Sequence, residues 1–585
     1  MSEKSRDSFH KGSHDKPTNR SRSKNRKFSG NQHTFEKSTA NTSSASEKLL
    51  RSGDEELVID DAHGYCFIQF LSVFTAISNV VMCKTCKKNV TFNRTNPRGL
   101  GFKIAVLCEC DASYINSGPL IGNAFEVNRR IVGVMRLLGI GINGLNLFCG
   151  LMDLLSKFNN VTYAGCFENF WKAAESVYNL SVKKAVREEQ KMTLEAENSE
   201  TNLTVSGDGT WKRRGHTSRF GVIILVGKYC KKIVDTIVKS TFCQSCVYWE
   251  RKKETEPEEY EEWLSQHDDC NINHLGSASK MEIDSVKEMF GRSIENYGVK
   301  YTRYIGDGDS ATYNGLLNLD PYDVPVQKLE CYLHVKKRMG TRCRNAKKIN
   351  KGLGGRSKNT VKLTDKLINK LQKYYGLAIT RHQDNVDEME KEVWATFHHL
   401  SSTDKSPNHG NCPEGAESWC GYRVAEAQGQ NMQKFKHDYF PIDPKVQEIL
   451  KPIYVDLSRR ELLDRCKGNN TQNNNESYNG LLWHFAPKHL HSGLKTIEIA
   501  NYLATVIFND GFSFILRIFS VMGVKIGQIA SNYAKQRDET RLRIAEYRHH
   551  AATREARTAR RRASANQQQL FEEEEGELYG PGIAD

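Results

Sequence analysis

The chain has 585 residues, 38% of them hydrophobic, which is enough for several domains with at least one large core. Its 84 Lys and Arg against 70 Asp and Glu give a formal charge of +14, concentrated towards the two ends, so polyanions are the expected partners. The first fifty residues lack the apolar segment of a secretory leader, and the 16 cysteines fall in close pairs. Together these features argue against a secreted, disulfide-bonded protein and favour metal binding.

Residues 1–48 are rich in Ser, Lys, Arg, Asn and His and contain few apolar side chains. Such a segment cannot offset its own ordering entropy, so we expect a disordered basic tail. The basic cluster at residues 20–27 could be a nuclear import signal, which would place the protein in the nucleus, or a non-specific phosphate binder. A purely solubilising tail explains the same composition.

An uncharged stretch at residues 64–83 raises the question of a membrane span. Gln69, Ser72 and Thr75 interrupt it, so the pattern favours buried core, and we expect no membrane association. It leads into Cys83, Cys86, Cys108 and Cys110, with a turn at residues 96–99 between two β-prone runs. Two thiol pairs at the ends of a hairpin can hold one tetrahedral Zn²⁺, which predicts a zinc-ribbon-like module over residues 49–120. Ordinary buried cysteines are the alternative.

Residues 121–200 have the apolar spacing of helices. Arg129, Arg130 and Arg136 lie among these apolar positions and could grip DNA, although a solvated helix face explains them equally well. The charged run at residues 183–200 predicts a long exposed helix that leads into the next region.

Three β-prone runs follow, at residues 203–205, 220–226 and 232–238. Asp208 comes where the first predicted strand ends, and Gly209 after it would let a phosphate or a metal ion approach the backbone. Asp-Gly-Thr is also an ordinary turn, so Asp208 alone carries little weight.

A second metal-ligand pattern comes after the third strand, and it predicts a zinc-clasped insertion at residues 240–275. His274 is a reserve ligand. The four predicted ligands are Cys243, Cys246, His267 and Cys270.

A helix is predicted at residues 282–296, followed by a strand that ends in Asp307. Asp307 is the better candidate for metal binding, and Asp309 could either take its place or cap the next helix. Another strand leads to Cys331 and His334, whose spacing is more often packing than chemistry when it occurs alone. The helix after them is basic and is a candidate DNA-binding surface through Lys336, Lys337, Arg338, Arg342 and Arg344.

Residues 360–466 have a mostly helical pattern and are predicted to form an insertion. Within it, His409, Cys412 and Cys420 have a spacing that hints at zinc. After the insertion, Glu476 falls in the first turn of a helix that runs to about residue 485. The helix dipole favours an acid there, so Glu476 could simply be a cap.

The C-terminal part is predicted to have a helical region at residues 486–534, then a basic helix and an acidic disordered tail at residues 535–585. A basic helix followed by an acidic tail suggests an arm that binds phosphate groups, with acids that compete with the phosphates for the basic side chains. Both segments could equally be solvent-exposed surface without a specific role.

The predicted elements follow the order of a ribonuclease-H-like fold: three strands, a helix, a strand that ends in an acid, another strand, and an acid on a helix. This predicts an α/β (α+β) protein whose mixed sheet carries a helical insertion, with further helical regions and small zinc modules. Asp208, Asp307 and Glu476 would then converge at one sheet edge. Three such carboxylates repel one another unless divalent cations lie between them, which predicts two Mg²⁺ or Mn²⁺ ions and phosphoryl transfer on nucleic acid.

The ordered motifs Gly207-Asp208-Gly209-Thr210, Gly306-Asp307-Gly308, Cys331-x2-His334 and Thr471-x-Asn473-x2-Glu476-x2-Asn479 resemble those of Mutator-like transposases. The resemblance covers about residues 204–485, so residues 201–485 would form the catalytic core. It implies a DDE transposase that cuts double-stranded DNA at element ends and joins them to target DNA, working as a multimer.

By the same resemblance, Asp208, Asp307 and Glu476 would bind the catalytic metals, and Asp309, Cys331, His334, Asn473 and Asn479 would support them. Two alternatives stay open. One is a domesticated descendant that binds or regulates DNA without transposition. The other is a zinc-bearing nucleic-acid-binding protein whose acids are only caps and turns.

Overall fold

The structure is a computed structural model that describes residue 48 and residues 57–154, 158–213, 218–307, 310–355 and 357–551. The predicted tail at residues 1–48, apart from Lys48, lies outside the described residues. So do Asp309 and the basic and acidic sequence after residue 551. The structure is mixed α/β, mostly helical, with several small sheets.

The N-terminal part begins with strand β1 (Ile59–Asp60) and helix α1 (Phe70–Ser78). An antiparallel three-stranded sheet follows, made of β2 (Thr91–Arg98), β3 (Gly101–Leu107) and β4 (Ala112–Asn116). The predicted turn lies slightly later than residues 96–99, because β2 continues to Arg98 and Gly99 takes a φ of +61°.

The prediction that residues 64–83 form buried core is wrong. No residue of α1 is buried, and the side chains of Phe67 and Val80 are 77% and 82% exposed. Phe70 and Phe74 of α1 pack on Phe102 and Phe92, but this sheet is too small to cover the whole apolar segment. Among the described residues no single helix is long and apolar enough to cross a membrane. The helices Glu126–Leu137 and Ile142–Leu151 together reach that length and hydropathy, but they are bent by 112° relative to each other.

Two short strands and three helices come next: β5 (Leu120–Ile121), β6 (Ala124–Phe125), α2 (Glu126–Leu137), α3 (Ile142–Leu151) and α4 (Asn160–Glu197). The predicted helix at residues 183–200 is present up to Glu197, but its predicted exposure is wrong, because α4 buries Val182, Ala185, Val186 and Glu189.

The arginines of α2 make contacts within the protein. Arg129 donates to the carbonyl of Met522 (2.6 Å), Arg130 pairs with Glu126 (2.7 Å), and Arg136 is buried. A solvated helix face therefore does not describe these three side chains, whereas a DNA contact through this region stays a prediction.

The central sheet has five strands in the order β11-β10-β7-β8-β9. Strands β7, β8 and β9 are antiparallel neighbours, whereas β10 pairs parallel with β7 and β11 pairs parallel with β10. The elements of this region are β7 (Asn202–Trp211), β8 (Phe220–Gly227), β9 (Ile233–Ser240), α5 (Gln244–Glu250), α6 (Pro257–Ser265), α7 (Ala278–Gly291), α8 (Ser293–Tyr297), β10 (Lys300–Gly306), α9 (Ser310–Leu319) and β11 (Gln327–Glu330).

The next region is helical and has a hydrophobic core of its own, which joins residues from Val335 to Cys466. The helix that follows β11 belongs to this core, because Val335, Met339 and Cys343 pack into it. The helices are α10 (Tyr332–Ile349), α11 (Asp365–Arg381), α12 (Val386–Ser401), α13 (Gly421–Ala427), α14 (Pro444–Leu457) and α15 (Arg460–Arg465).

The chain then returns to the central sheet with α16 (Asn473–Phe485), α17 (Leu494–Asp510), α18 (Ile515–Val521), β12 (Ile526–Gly527) and α19 (Gln528–Ala551). Strand β12 pairs in parallel with β1, so the two ends of the described chain meet.

The central sheet is covered on both faces. On one face, Tyr178 of α4 and Asn501 of α17 both bond to Thr236 of β9. On the other face, Arg292 at the end of α7 pairs with Asp235 (2.6 Å), the neighbour of Thr236 on β9. All eight residues of β8 are therefore buried, as expected for a strand between two helical layers.

Candidate functional site

The ends of three parallel strands bring Asp208, Asp307 and Cys331 into one row. The last paired residues of β7 and β10 are Ser206 and Ile305, and Asp208 and Asp307 each lie two residues further along. Side chains alternate between faces along a strand, so the two acids lie side by side on one face of the sheet. The Cys331 amide donates to the Gly306 carbonyl (3.2 Å), which places Cys331 beside Asp307.

Asp208 does not end its strand, as the sequence had suggested. Strand β7 continues to Trp211 because its other edge still pairs with β8, and Asp208 lies opposite Ile224. Only the pairing with β10 stops before Asp208. The site is therefore a notch in the sheet, open on the β10 side.

Helix α16 lies along β7 in a matching register. Asn475 exchanges two hydrogen bonds with Ser206 (3.2 Å each), Asn479 donates to Asp208 Oδ2 (2.8 Å), and Trp483 donates to Thr210 Oγ1 (2.9 Å). Four helical residues advance by about 6 Å and two strand residues by about 6.6 Å, so the three contacts repeat in step. Gln472 adds a bond to the Gly207 carbonyl (2.8 Å).

Burial and the neighbouring acid make Asp208 hard to ionise. Its pKa is raised from 3.8 to about 6, chiefly by burial, with a further contribution from the negative charge of Asp307. The hydrogen bond from Asn479 and the positive charge of His334 act in the opposite direction. Asp208, Asp307 and His334 are therefore close enough to influence one another electrostatically.

Glu476 lies on the flank of α16 that faces β10. Tyr478 of α16 bonds to Asn501 of α17, and α17 covers β9 at the far side of the sheet. Successive residues of a helix are about 100° apart, so Glu476 lies on the opposite flank from Tyr478. Its side chain is exposed. Asn473 is also exposed, at the first turn of α16, on the face away from β7.

Cys331 and His334 form a pair at the start of α10. The neighbouring Cys331 thiol raises the pKa of His334, against the effect of burial. Burial opposes ionisation of Cys331, but hydrogen bonds from His334 and from backbone amides outweigh it and lower the Cys331 pKa. The two pKa shifts have a common cause, the contact between the Cys331 thiol and the His334 ring beside Asp307.

The basic side chains of α10 differ in their surroundings. Arg338 pairs with Glu330 (2.7 Å), Arg342 pairs with Asp456, and Arg344 donates to Asn369 (2.9 Å). Lys336 is half-buried, and burial lowers its pKa. Lys337 is exposed and lies near enough to His334 to oppose its protonation.

The two predicted cysteine clusters each come together. In the first, Cys83, Cys86, Cys108 and Cys110 have ligand atoms within 4.8 Å of one another, and Cys110 Sγ lies 3.5 Å from Cys83 Sγ. Cys108 and Cys110 lie on the turn between β3 and β4. The four residues could hold one zinc ion.

In the second cluster, Cys243, Cys246, His267 and Cys270 also lie within 4.8 Å of one another. His267 Nε2 is 3.3 Å from Cys246 Sγ and 3.6 Å from Cys243 Sγ. His274 lies apart from this group, with its Nδ1 3.6 Å from Asp284. The reserve role predicted for His274 therefore has no support in the geometry.

Sequence reasoning missed three residues of the site, Gln472, Asn475 and Trp483. Their spacing with Asn479 follows the period of one helix face, at intervals of three or four residues. This period could have indicated that the four side chains share one helix face. A helix face of Asn, Gln and Trp does not by itself identify the strand on which it packs.

A family model described as Mutator-like transposase matches residues 64–420. This span includes β7, β10 and β11 and both cysteine clusters, and it ends before Glu476. The match thus begins earlier and ends earlier than the resemblance seen in the motifs. No curated protein and no solved structure matches the chain.

Proposed function

Because the chain belongs to the Mutator-like transposase family, we propose that it is an active DDE transposase. In this proposal it cleaves double-stranded DNA at the ends of a mobile element and joins the freed ends to target DNA. Asp208, Asp307 and Glu476 are the proposed metal-binding acids.

The observation that carries the proposal is the row formed by Asp208 and Asp307. Each of these carboxylates lies two residues beyond the last β7–β10 pair, so the strand register brings two acids together at this edge of the sheet. Without a cation, ionising Asp208 is costly, because burial raises its pKa and the negative charge of Asp307 raises it further. Such arrangements are characteristic of functional sites.

The donor set of the notch fits a hard divalent cation. Carboxylate oxygens are ligands that Mg²⁺ and Mn²⁺ prefer. Asn479 Oδ1 is buried and has no hydrogen-bond partner among the described residues, although its amide nitrogen donates to Asp208. A further oxygen acceptor is therefore available next to the two acids. Glu476, one turn before Asn479 on α16, supplies the third carboxylate from the side facing β10.

When bound, two such cations would activate a water or a 3′-hydroxyl and stabilise the leaving oxygen of a phosphodiester. The chain's own residues position the ligands. Asn479 orients the Asp208 carboxylate, and the bonds of Asn475 and Trp483 fix α16 against β7. His334, with its raised pKa, can hold a proton beside Asp307.

The strand order supports a ribonuclease-H-like core. Three antiparallel strands are followed by two that join parallel to the first, with helices on both faces. In this arrangement the helices of residues 332–465 form the insertion between β11 and α16. Residues 49–120 would be a separate module before the core, whereas α4 of the region at residues 121–200 packs against the central sheet and is part of its core.

DNA is the proposed partner, and a multimer that bridges two element ends is the proposed assembly. Lys337 is exposed beside the site and is our first choice for a phosphate contact, because the arginines of α10 already have protein partners. A nuclear location follows from the substrate, with the basic cluster at residues 20–27 as the import signal.

The test is cleavage of plasmid DNA that carries the genomic flanks of the coding region. With Mg²⁺ or Mn²⁺ we expect nicking and joining at the element ends, and loss of at least 10²-fold in Asp208→Asn, Asp307→Asn and Glu476→Gln. Lys337→Gln should retain the chemistry with weaker DNA binding. DNA binding by the wild type without metal-dependent cleavage would instead favour a domesticated, DNA-binding descendant.

A further inference from the structure

Residues 402–443, between α12 and α14, have little regular structure and little apolar core. They contain the short helix α13 and a 3-10 turn at Met432–Lys434. Long irregular segments in a compact domain need another source of order. The buried side chains of this segment are Ser402, His409, Cys412, Ser418, Cys420, Ala425 and Ile442.

Two histidines and two cysteines meet where this segment joins the end of α12. The nearest ligand atoms of His399, His409, Cys412 and Cys420 all lie within 4.8 Å of one another. His409 Nδ1 is 3.3 Å from Cys420 Sγ and 3.7 Å from Cys412 Sγ. His399 Nδ1 is 3.9 Å from Cys412 Sγ. One helix and one irregular segment thus present four soft or borderline donors to a single point.

A chain of polar contacts lies behind His409. His437 Nδ1 lies 2.6 Å from Asp404 Oδ1, and a carboxylate accepts, so His437 donates there. His409 Nε2 lies 2.9 Å from His437 Nε2 and 3.0 Å from Ser402 Oγ. These groups engage Nε2 of His409, while its Nδ1 lies next to the two sulfurs.

We propose that His399, His409, Cys412 and Cys420 form a structural zinc site that anchors residues 402–443 to α12. Two thiolates and two imidazoles are a common tetrahedral zinc donor set. Asp404 and His437 act as outer partners that orient one ligand, as carboxylates do behind metal-bound histidines. The rings of Trp419, Tyr422 and Tyr439 pack against the two ligand histidines and close the site, which fits a structural rather than a catalytic ion.

The first test measures zinc in the full-length protein purified without chelator. The proposal predicts about three zinc ions per chain, one for each cluster of four ligands. Cys412→Ser combined with Cys420→Ser should lower the content by about one ion. Cys343→Ala is the matched control. The Cys343 thiol is buried in the core that joins Val335 to Cys466, contacts Met339 and belongs to none of the three four-ligand clusters. Unchanged zinc in the double variant would overturn the proposal.

The second test leaves all four ligands in place. Asp404→Asn, at an exposed position, removes the carboxylate that accepts from His437 Nδ1. We expect zinc at this site to be released to a competing chelator at about 10- to 100-fold lower chelator concentration. Asp438→Asn, an exposed acid on the same segment, should leave the release unchanged. Equal release from Asp404→Asn and the wild type would overturn the outer role of Asp404 and His437 at this site.

Discussion

At the scale of single residues, burial makes the charge of Asp208 costly to the fold. Its folded pKa of about 6 exceeds the ordinary value of 3.8, so the native state holds this proton more tightly than the unfolded chain does. Stability of the metal-free protein should therefore fall as the pH rises from about 4 through about 6. Divalent cations would relieve this cost at neutral pH.

Asp208→Asn removes the ionisable group while keeping its shape. At pH 8 without divalent metal, we expect the variant to be more stable than the wild type by on the order of 1–2 kcal/mol, because a two-unit shift is worth at most about 3 kcal/mol. The difference should shrink as the pH approaches 4. Thermal unfolding of both proteins at the two pH values measures this.

The matched control is Asp384→Asn, at an exposed position away from the sheet. This change should leave stability within about 0.5 kcal/mol at both pH values. If Asp208→Asn were less stable than the wild type at pH 8, the carboxylate would have a structural role that the account does not include.

The sequence identified Asp208 and Asp307 because each follows or lies within an apolar β-prone run and is flanked by glycine. It could not give the pairing register that makes the two acids neighbours, since register is a property of two strands together. The same limit explains why His399 was missed. It lies in a helix, ten residues before His409, outside any ligand spacing that a sequence pattern describes.

At the scale of elements, helix α16 decides whether the site exists. Its contacts with β7 repeat every four residues of the helix and every two of the strand, through Asn475, Asn479 and Trp483. The helix also carries Glu476. A small rotation of α16 would therefore change the position of the proposed third acid and the support of Asp208 at the same time.

Asn475→Ala tests this coupling. The substitution leaves the Ser206 hydroxyl and carbonyl without their partner in a buried place, which should cost about 1–3 kcal/mol. Chemical denaturation measures the loss, and DNA cleavage should fall although no metal ligand has changed. Ser477→Ala, on the exposed face of the same helix, is the control and should be close to neutral. Equal stability of the two variants would contradict the proposed register.

The second cysteine cluster is an element that depends on its metal. Helices α5 and α6 contain no buried residue, and apart from the stacked Trp249 and Trp263 rings they have little apolar packing to hold this insertion together. Cys243→Ser with Cys246→Ser should remove about one zinc ion per chain and expose the bonds after Arg251 and Lys252 to trypsin.

The rest of the chain should resist the protease in that double variant. Cys66→Ser is the control, because Cys66 is an exposed free cysteine that belongs to no cluster. Full zinc content and an unchanged cleavage pattern in the double variant would remove the structural role of this metal.

At the scale of the whole molecule, the described chain has two large hydrophobic cores and a smaller one around α2, α3 and the start of α4. The first large core surrounds the central sheet, and the second joins residues from Val335 to Cys466. The sequence predicted a helical insertion, but it could not show that α10, directly after Cys331, packs into it. The apolar spacing of α10 is compatible with either core, and only the folded neighbours decide between them.

The N-terminal part shows the opposite failure. Residues 64–83 are apolar enough for a core, yet the sheet beside them is too small to bury them. An apolar composition predicts that a segment tends to be buried, but whether it is buried depends on the size of the structure around it.

The central claim is that Asp208, Asp307 and Glu476 bind divalent cations together. Binding of Mn²⁺ to the full-length protein, counted by electron paramagnetic resonance at pH 7.5, tests it most directly. The account predicts about two ions per chain and a clear loss of bound Mn²⁺ in each of Asp208→Asn, Asp307→Asn and Glu476→Gln. Mn²⁺ binding by Glu476→Gln equal to that of the wild type would contradict the claim.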